Sequence, residues 1–162
     1  MPTEQAHEAA IAAPPVPAWS GLAVRIRGLV VAAPIVAIVA VAAWLQPDER
    51  GMRTHEQLHM RACNYVSTTG WPCPTCGLTT SFSALAHGQV GLAFQAHAFG
   101  PVLAAAMVAI LALAMAELLT GRAFLSRLRW RWWWLICGLV GLAAGWGLKA
   151  YLGWAAGTFP IR

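Results

Sequence analysis

Three cysteines carry the strongest chemical signal in this sequence. Cys73 and Cys76 stand in the run Trp71-Pro72-Cys73-Pro74-Thr75-Cys76-Gly77, and Cys63 precedes them. A C-P-x-C-G turn lets two thiolates grip one tetrahedral ion, with glycine supplying the unusual backbone angle. One such turn offers only two ligands. Cys63 and His59 could complete a Cys3His site, for which zinc is the natural ion. A second chemistry is open to the same residues. The pair lies just before a predicted helix, whose N-terminus lowers a thiol pKa, so Cys73 and Cys76 also suit a redox pair with Cys63 as exchange partner. A third is a structural disulfide from Cys63 to Cys73 or Cys76, which leaves one cysteine of the segment unpaired. The residues alone leave these three readings open. Cys137 falls inside a long apolar run and is expected to be packed and inert.

The remaining polar candidates are read from their spacing. Thr54 to about Tyr65 looks helical, with Thr54 as cap and Gln57 completing a capping-box pattern. On that helix His55, His59 and Cys63 fall at i, i+4 and i+8, along one face, which could also serve metal handling. After Gly77, Leu78–His87 reads as a short helix closed by Gly88 as a left-handed cap, with His87 at the negative end of its dipole. A second short helix is expected from Val90 to about His97. His97, just before the second span, could be an interface residue, and both His87 and His97 are also candidates for a direct functional role. Lys149 sits within an apolar run near its end. It is expected to snorkel to the surface, or else to meet the cysteine-bearing segment and share its function. Glu117 is expected to snorkel to the opposite interface.

The elements that must position these residues are membrane helices. Apolar residues make up 59% of the 162-residue chain and charged residues only 10%, against roughly 25% charged in soluble domains. So few charges cannot cover a water-facing surface, so much of the surface is expected to face lipid. The net charge of +5 comes mainly from Arg at the ends of apolar runs. That pattern sets membrane orientation and argues against nucleic-acid binding. The nine Trp agree with interface anchoring.

Three runs are long enough to cross a bilayer: about 28–45, 101–119 and 132–153. Pro34 could kink the first. Ala40-Val41-Ala42 imitates a signal-peptide cleavage site, but the tail and the run are both longer than a signal peptide usually has. Gly138, Gly141 and Gly145 lie at helical spacing and could admit another helix. The fold class is therefore all-α integral membrane, with three transmembrane helices and one or two short interfacial helices. Residues 1–24, rich in Ala and Pro, read as a disordered tail, and 25–162 as one membrane domain with an outer segment over about 54–97. Arg25 and Arg27 before the first span, and Arg122, Arg127, Arg129 and Arg131 between the second and third, predict a cytoplasmic N-terminus and an outward cysteine segment in an inner membrane.

From Cys63 to His97 the sequence resembles a family of small bacterial membrane proteins grouped as a domain of unknown function. The likeness rests on Cys63, on Thr69-Gly70-Trp71-Pro72-Cys73-Pro74-Thr75-Cys76-Gly77-Leu78-Thr79, and on Ala84-Leu85 and His87-Gly88. The family's Arg is Thr80 here, its Asp is Gln89, and its Asn-Pro is His97-Ala98. The resemblance implies a membrane location and a role for the three cysteines, and no particular reaction.

The sequence shows no charged pathway through the spans, no phosphate loop and no carboxylate pair. It therefore points to a non-catalytic accessory or scaffold subunit of a larger membrane complex, with lipid and a protein partner as its surroundings. A membrane thiol–disulfide oxidoreductase using Cys73 and Cys76 is the alternative, although such enzymes generally have more spans and a second cysteine pair. Metal handling is a further one.

Overall fold

The computed structural model describes residues 18–128 and 131–160, and within them the fold is helical with no strand. Helix α1 spans Ala18–Trp44, α2 Asn64–Thr69, α3 Leu78–Ala86, α4 Val90–Ala96, α5 Gly100–Thr120 and α6 Trp132–Ala155. Short 3-10 turns cover Thr54–Leu58 and Leu125–Arg127. Three helices are long and apolar enough to cross a membrane: Gly21–Trp44, Gly100–Thr120 and Trp132–Ala155. Their large apolar side chains point outward, Val30, Val108, Leu139 and Val140 among them. Such a surface suits an apolar surrounding such as lipid. The first helix starts earlier than expected, so 18–24 belong to it. The tail expected over residues 1–17 lies outside the described residues. Pro34 sits inside a continuous helix.

The first two spans form one antiparallel pair. Gly28 lets α1 back onto α5, where a Cβ at that position would meet the Ala114 carbonyl at 2.7 Å and the Leu118 amide at 3.0 Å. Beside this contact, Arg27 makes a two-point bond to Glu117, Nε to Oε2 at 3.1 Å and a terminal nitrogen to Oε1 at 2.6 Å. The Leu125 amide donates to the same carboxylate at 2.6 Å. Glu117 is fully buried. It does not snorkel, because the guanidinium and the loop amide satisfy its carboxylate in place.

The third span is attached differently. It shares no extensive helix–helix packing with α1 or α5, and residues 132–137 at its start are all exposed. Cys137 is therefore exposed on a lipid-facing helix rather than packed. The glycine row also serves otherwise than expected. Gly141 and Gly145 receive the side chains of Phe99 and His97 rather than a helix, and nothing lies within 4 Å of a Cβ built at Gly138. At the other end of α6 the chain folds back. Phe159 covers Gly153, Thr158 Oγ1 donates to the Gly153 carbonyl at 2.9 Å, and the Phe159 ring stacks on Trp71 with centroids 6.4 Å apart.

The segment between α1 and α5 is a compact cap over the ends of the spans. Ser83 donates to the Leu45 carbonyl and so joins α3 to the end of α1. Thr54 and Thr80 share a buried hydrogen bond of 2.8 Å, and the Asp48 amide donates to Thr54 Oγ1 at 3.1 Å. Thr80 thus pins the 3-10 turn to α3. The single helix expected over Thr54–Tyr65 does not form. His59 adopts a left-handed conformation, φ 58°, that ends the turn. Thr54 is drawn into the Thr80 bond instead of capping. Gln57 pairs with the Gln46 backbone, its Nε2 donating to the Gln46 carbonyl at 2.6 Å and its Oε1 accepting from the amide at 3.1 Å. A separate helix, α2, follows over Asn64–Thr69, and Gly70, φ 73°, ends it.

Candidate metal centre

Local structure brings the three thiols together. Cys63 is the residue before α2, and its carbonyl accepts from the Ser67 amide at 3.0 Å in the first turn. Past Gly70, the Thr69 hydroxyl accepts from the Trp71 amide at 3.1 Å, which turns the chain back. Two successive tight turns follow: the Cys76 amide bonds the Cys73 carbonyl at 3.0 Å and the Leu78 amide bonds the Thr75 carbonyl at 3.2 Å. Gly77, φ 99°, allows the sharp entry into α3. The Sγ atoms of Cys63, Cys73 and Cys76 consequently lie within 4.8 Å of one another, and all three residues are half-buried. Cys73 Sγ and Cys76 Sγ are 2.8 Å apart, and Thr75 Oγ1 lies 3.4 Å from Cys73 Sγ. All three cysteines are free thiols. Sulfurs bound to one tetrahedral ion at ~2.3 Å stand roughly 3.8 Å apart, so small side-chain rotations bring this group into register with such an ion.

The two thiols of the turn differ in acidity. Burial pushes Cys73 up, but hydrogen bonds from Cys76 and Thr75 outweigh it and hold this thiol at about 7. Burial and the bond to Cys73 both push Cys76 up, to about 12.

The turn is gripped from behind by three side chains, each bonding a different backbone carbonyl. Trp146 Nε1 donates to the Pro72 carbonyl at 2.7 Å. His97 Nε2 donates to the Pro74 carbonyl at 3.1 Å. Lys149 Nζ reaches the Cys76 carbonyl at 3.4 Å while also bonding the carbonyls of Gly51 at 2.8 Å and Ala96 at 2.7 Å. Lys149 therefore does not snorkel. It stands under the segment because three carbonyls from three separate stretches replace the water its ammonium would otherwise seek. His97 is fully buried and not an interface residue. Because its Nε2 carries the proton, Nδ1 is left without a partner, facing Gly145, where a Cβ would meet it at 3.0 Å. Burial, opposed by the Pro74 carbonyl and reinforced by nearby Lys149, lowers the His97 pKa from its ordinary value.

The histidines expected as ligands separate. His59 is exposed and is not part of the sulfur group. His55, one turn earlier, lines the cavity in front of the thiols together with Met60, Cys63, Cys73 and Cys76. The face shared by His55, His59 and Cys63 does not exist because the helix carrying it is broken. His87 caps α3 from outside, with Nδ1 2.9 Å from the Ser83 carbonyl, and has no part in the site. Two residues went unread in the sequence. Trp146 had a readable signal, a tryptophan deep within an apolar run rather than at its end. Met60 had a weaker one, a second sulfur close to Cys63.

Fold and site together define a multi-pass helical membrane protein with a three-thiol cluster in the segment between its first two spans. Residues 63–111 match the sequence model of a family described as a protein of unknown function, DUF2752. The match begins at Cys63 and takes in Cys73, Cys76, α3, α4 and the first half of α5, while Trp146 and Lys149 lie outside it. No curated protein and no solved structure is detectably similar to the chain.

Proposed function

We propose that the protein is a membrane-embedded accessory subunit whose outer segment is built around a thiolate-bound metal ion, with zinc the ion that the donors fit. The observation that carries the reading is the convergence of Cys63, Cys73 and Cys76 within 4.8 Å. Three sulfurs contributed by two separated stretches are the donor set of thiophilic ions, and binding one ion would lock α2 to the turn before α3. The subunit role draws on the spans. They enclose no polar pathway among the described residues, and α6 offers most of its length to its surroundings. The arginines beside the spans support a cytoplasmic N-terminus and an outward cluster in a bacterial inner membrane.

The test is metal content. Protein purified in mild detergent is expected to carry zinc near one equivalent. Cys63→Ser, Cys73→Ser and Cys76→Ser should each lose the ion and destabilise the segment. Metal-free wild-type protein with unchanged stability would defeat the metal reading. Recovery of the protein only as lone monomers in mild detergent would defeat the subunit reading.

A redox role has its own supporting observation, the 2.8 Å approach of Cys73 Sγ to Cys76 Sγ with a third sulfur close by. It requires a reducible Cys73–Cys76 bond in cells. In metal-free protein, with Cys73 near 7 and Cys76 near 12, alkylation should reach Cys73 first, with a midpoint close to neutral pH, and Cys76 last. Thiols that stay reduced under oxidising growth would count against this role.

A further inference from the structure

The metal reading leaves one matter of coordination open, and the surroundings of the sulfurs address it. Four protein donors close a structural zinc site, whereas three leave a position for an outside ligand. Among the described residues only Cys63, Cys73 and Cys76 form a group of ligating atoms close enough to share an ion. The fourth direction is not sealed by packing. A cavity of about 470 Å³ lies over the sulfurs, walled by Arg53, His55, Met60, Thr75, Leu78 and Thr79. This is far more than the ~30 Å³ that one water occupies. It falls within the range of roughly 300–1,000 Å³ typical of small-molecule sites.

Behind the sulfurs the picture is the reverse. His97, Trp146 and Lys149 hold the carbonyls of Pro74, Pro72 and Cys76, so the turn is fixed at its back and open at its front. Charge points the same way. A divalent ion with three thiolates carries a net charge of about −1. The Lys149 ammonium stands behind the turn bonded to carbonyls only. Arg53, at the mouth and 41% exposed, has Glu56 Oε1 at 3.6 Å. With Arg53 paired to Glu56, the Lys149 ammonium is the cation that offsets the charge of the three-thiolate ion, so a further anionic donor meets no uncompensated negative charge.

We infer that the Cys63–Cys73–Cys76 centre is an open three-thiolate site whose ion takes a fourth, exchangeable ligand from the cavity, namely a thiolate of a small molecule. The inference rests on the metal reading above. The step is a ligand exchange. The zinc–oxygen bond to water breaks, a zinc–sulfur bond forms, the thiol proton passes to solvent, and no electron is transferred. Soft sulfur donors already on the ion favour a fourth sulfur over oxygen.

The experiment uses the full chain in detergent, loaded with zinc and examined by X-ray absorption at the zinc edge. The expected first shell is three sulfurs and one oxygen or nitrogen. Adding β-mercaptoethanol should change it to four sulfurs. His55→Ala should leave the thiol-free shell as it was. A shell that ignores the added thiol, or a light-atom donor that disappears in His55→Ala, would overturn the inference while leaving the metal reading intact. Failure of the wild-type protein to retain zinc would overturn both.

Discussion

The first two spans and the third are held in place by different physics. Helices α1 and α5 lie against each other with Gly28 at their closest approach and one buried carboxylate, Glu117, bonded by Arg27 and the Leu125 amide. Among the described residues, helix α6 has no such partner helix. What positions it is a short row of polar and aromatic contacts near one end: Trp146 to Pro72, Lys149 to Gly51, Cys76 and Ala96, and His97 and Phe99 seated on its glycines. In lipid, apolar side chains gain little by leaving one apolar environment for another, so close backbone approach and satisfied polar groups decide which helices meet. The α1–α5 pair uses both where Gly28 and Arg27 meet Ala114, Glu117 and Leu118. The third span uses them only where it meets the segment between α1 and α5, so the segment that carries the thiols is also what holds α6.

That contrast can be broken experimentally. The most damaging single change is expected at Gly77. A left-handed conformation costs a residue with a side chain about 1–2 kcal/mol. In addition, a Cβ there would meet Lys149 Nζ at 2.7 Å and the Ala96 carbonyl carbon at 2.9 Å. Gly77→Val should therefore scatter the thiols and release α6 at once. Loss of metal retention, together with new protease cleavage between α5 and α6, would register both effects.

Lys149→Met comes next. It leaves the Gly51, Cys76 and Ala96 carbonyls without their donor, at about 1–3 kcal/mol for each buried acceptor left unmet. Thermal unfolding in detergent should show the loss, and cross-links between α6 and the cysteine-bearing segment should weaken while those between α1 and α5 persist. Equal loss of both sets would mean that the two attachments are not separate.

Glu117→Gln probes the other attachment. Its cost should be about 1–2 kcal/mol, moderate for a charged hydrogen bond, because the Arg27 side chain is 42% exposed and part of its charge is met by water. The α1–α5 cross-links should weaken while zinc retention stays unchanged.

The smallest effect is a pH dependence through His97. Its pKa is lowered in the folded protein, so the unfolded chain binds a proton more readily. The stabilisation is present in full above the ordinary imidazole range and is lost as pH falls through it. Protection of the cysteine-bearing segment from proteolysis should decline on mild acidification in wild-type protein, and decline less in His97→Asn.

Much of this molecule could be read from composition and periodicity. The second and third spans appear within a few residues of their expected ends, because long apolar runs have only the helix available in lipid. The turn of Cys73 to Gly77 and the short helices after it were equally legible, since Gly77, Gly88 and Pro101 act locally. Several misreadings involve polar residues whose partners lie far away in the chain, while the broken Thr54–Tyr65 helix and the exposed Cys137 are of other kinds. Glu117 was expected at the interface, where a lone charge finds water, and Lys149 either there or against the cysteine-bearing segment, where it stands. The structure supplies Arg27, 90 positions away, for the first, and carbonyls 53 to 98 positions away for the second.

Sequence alone determined that this chain is a three-span helical membrane protein with a cysteine turn, because the choice between lipid and water, and the shape of a tight turn, are settled by neighbouring residues. Tertiary structure decided which atoms surround the thiols. It broke the helix that would have carried His59 beside Cys63, drew Thr54 to Thr80, and turned two glycines of the third span into seats for His97 and Phe99. Those outcomes depend on which buried donors find which distant acceptors. That pairing is fixed only when the whole chain is in place, since each unmet group would raise the energy by more than local propensity can return.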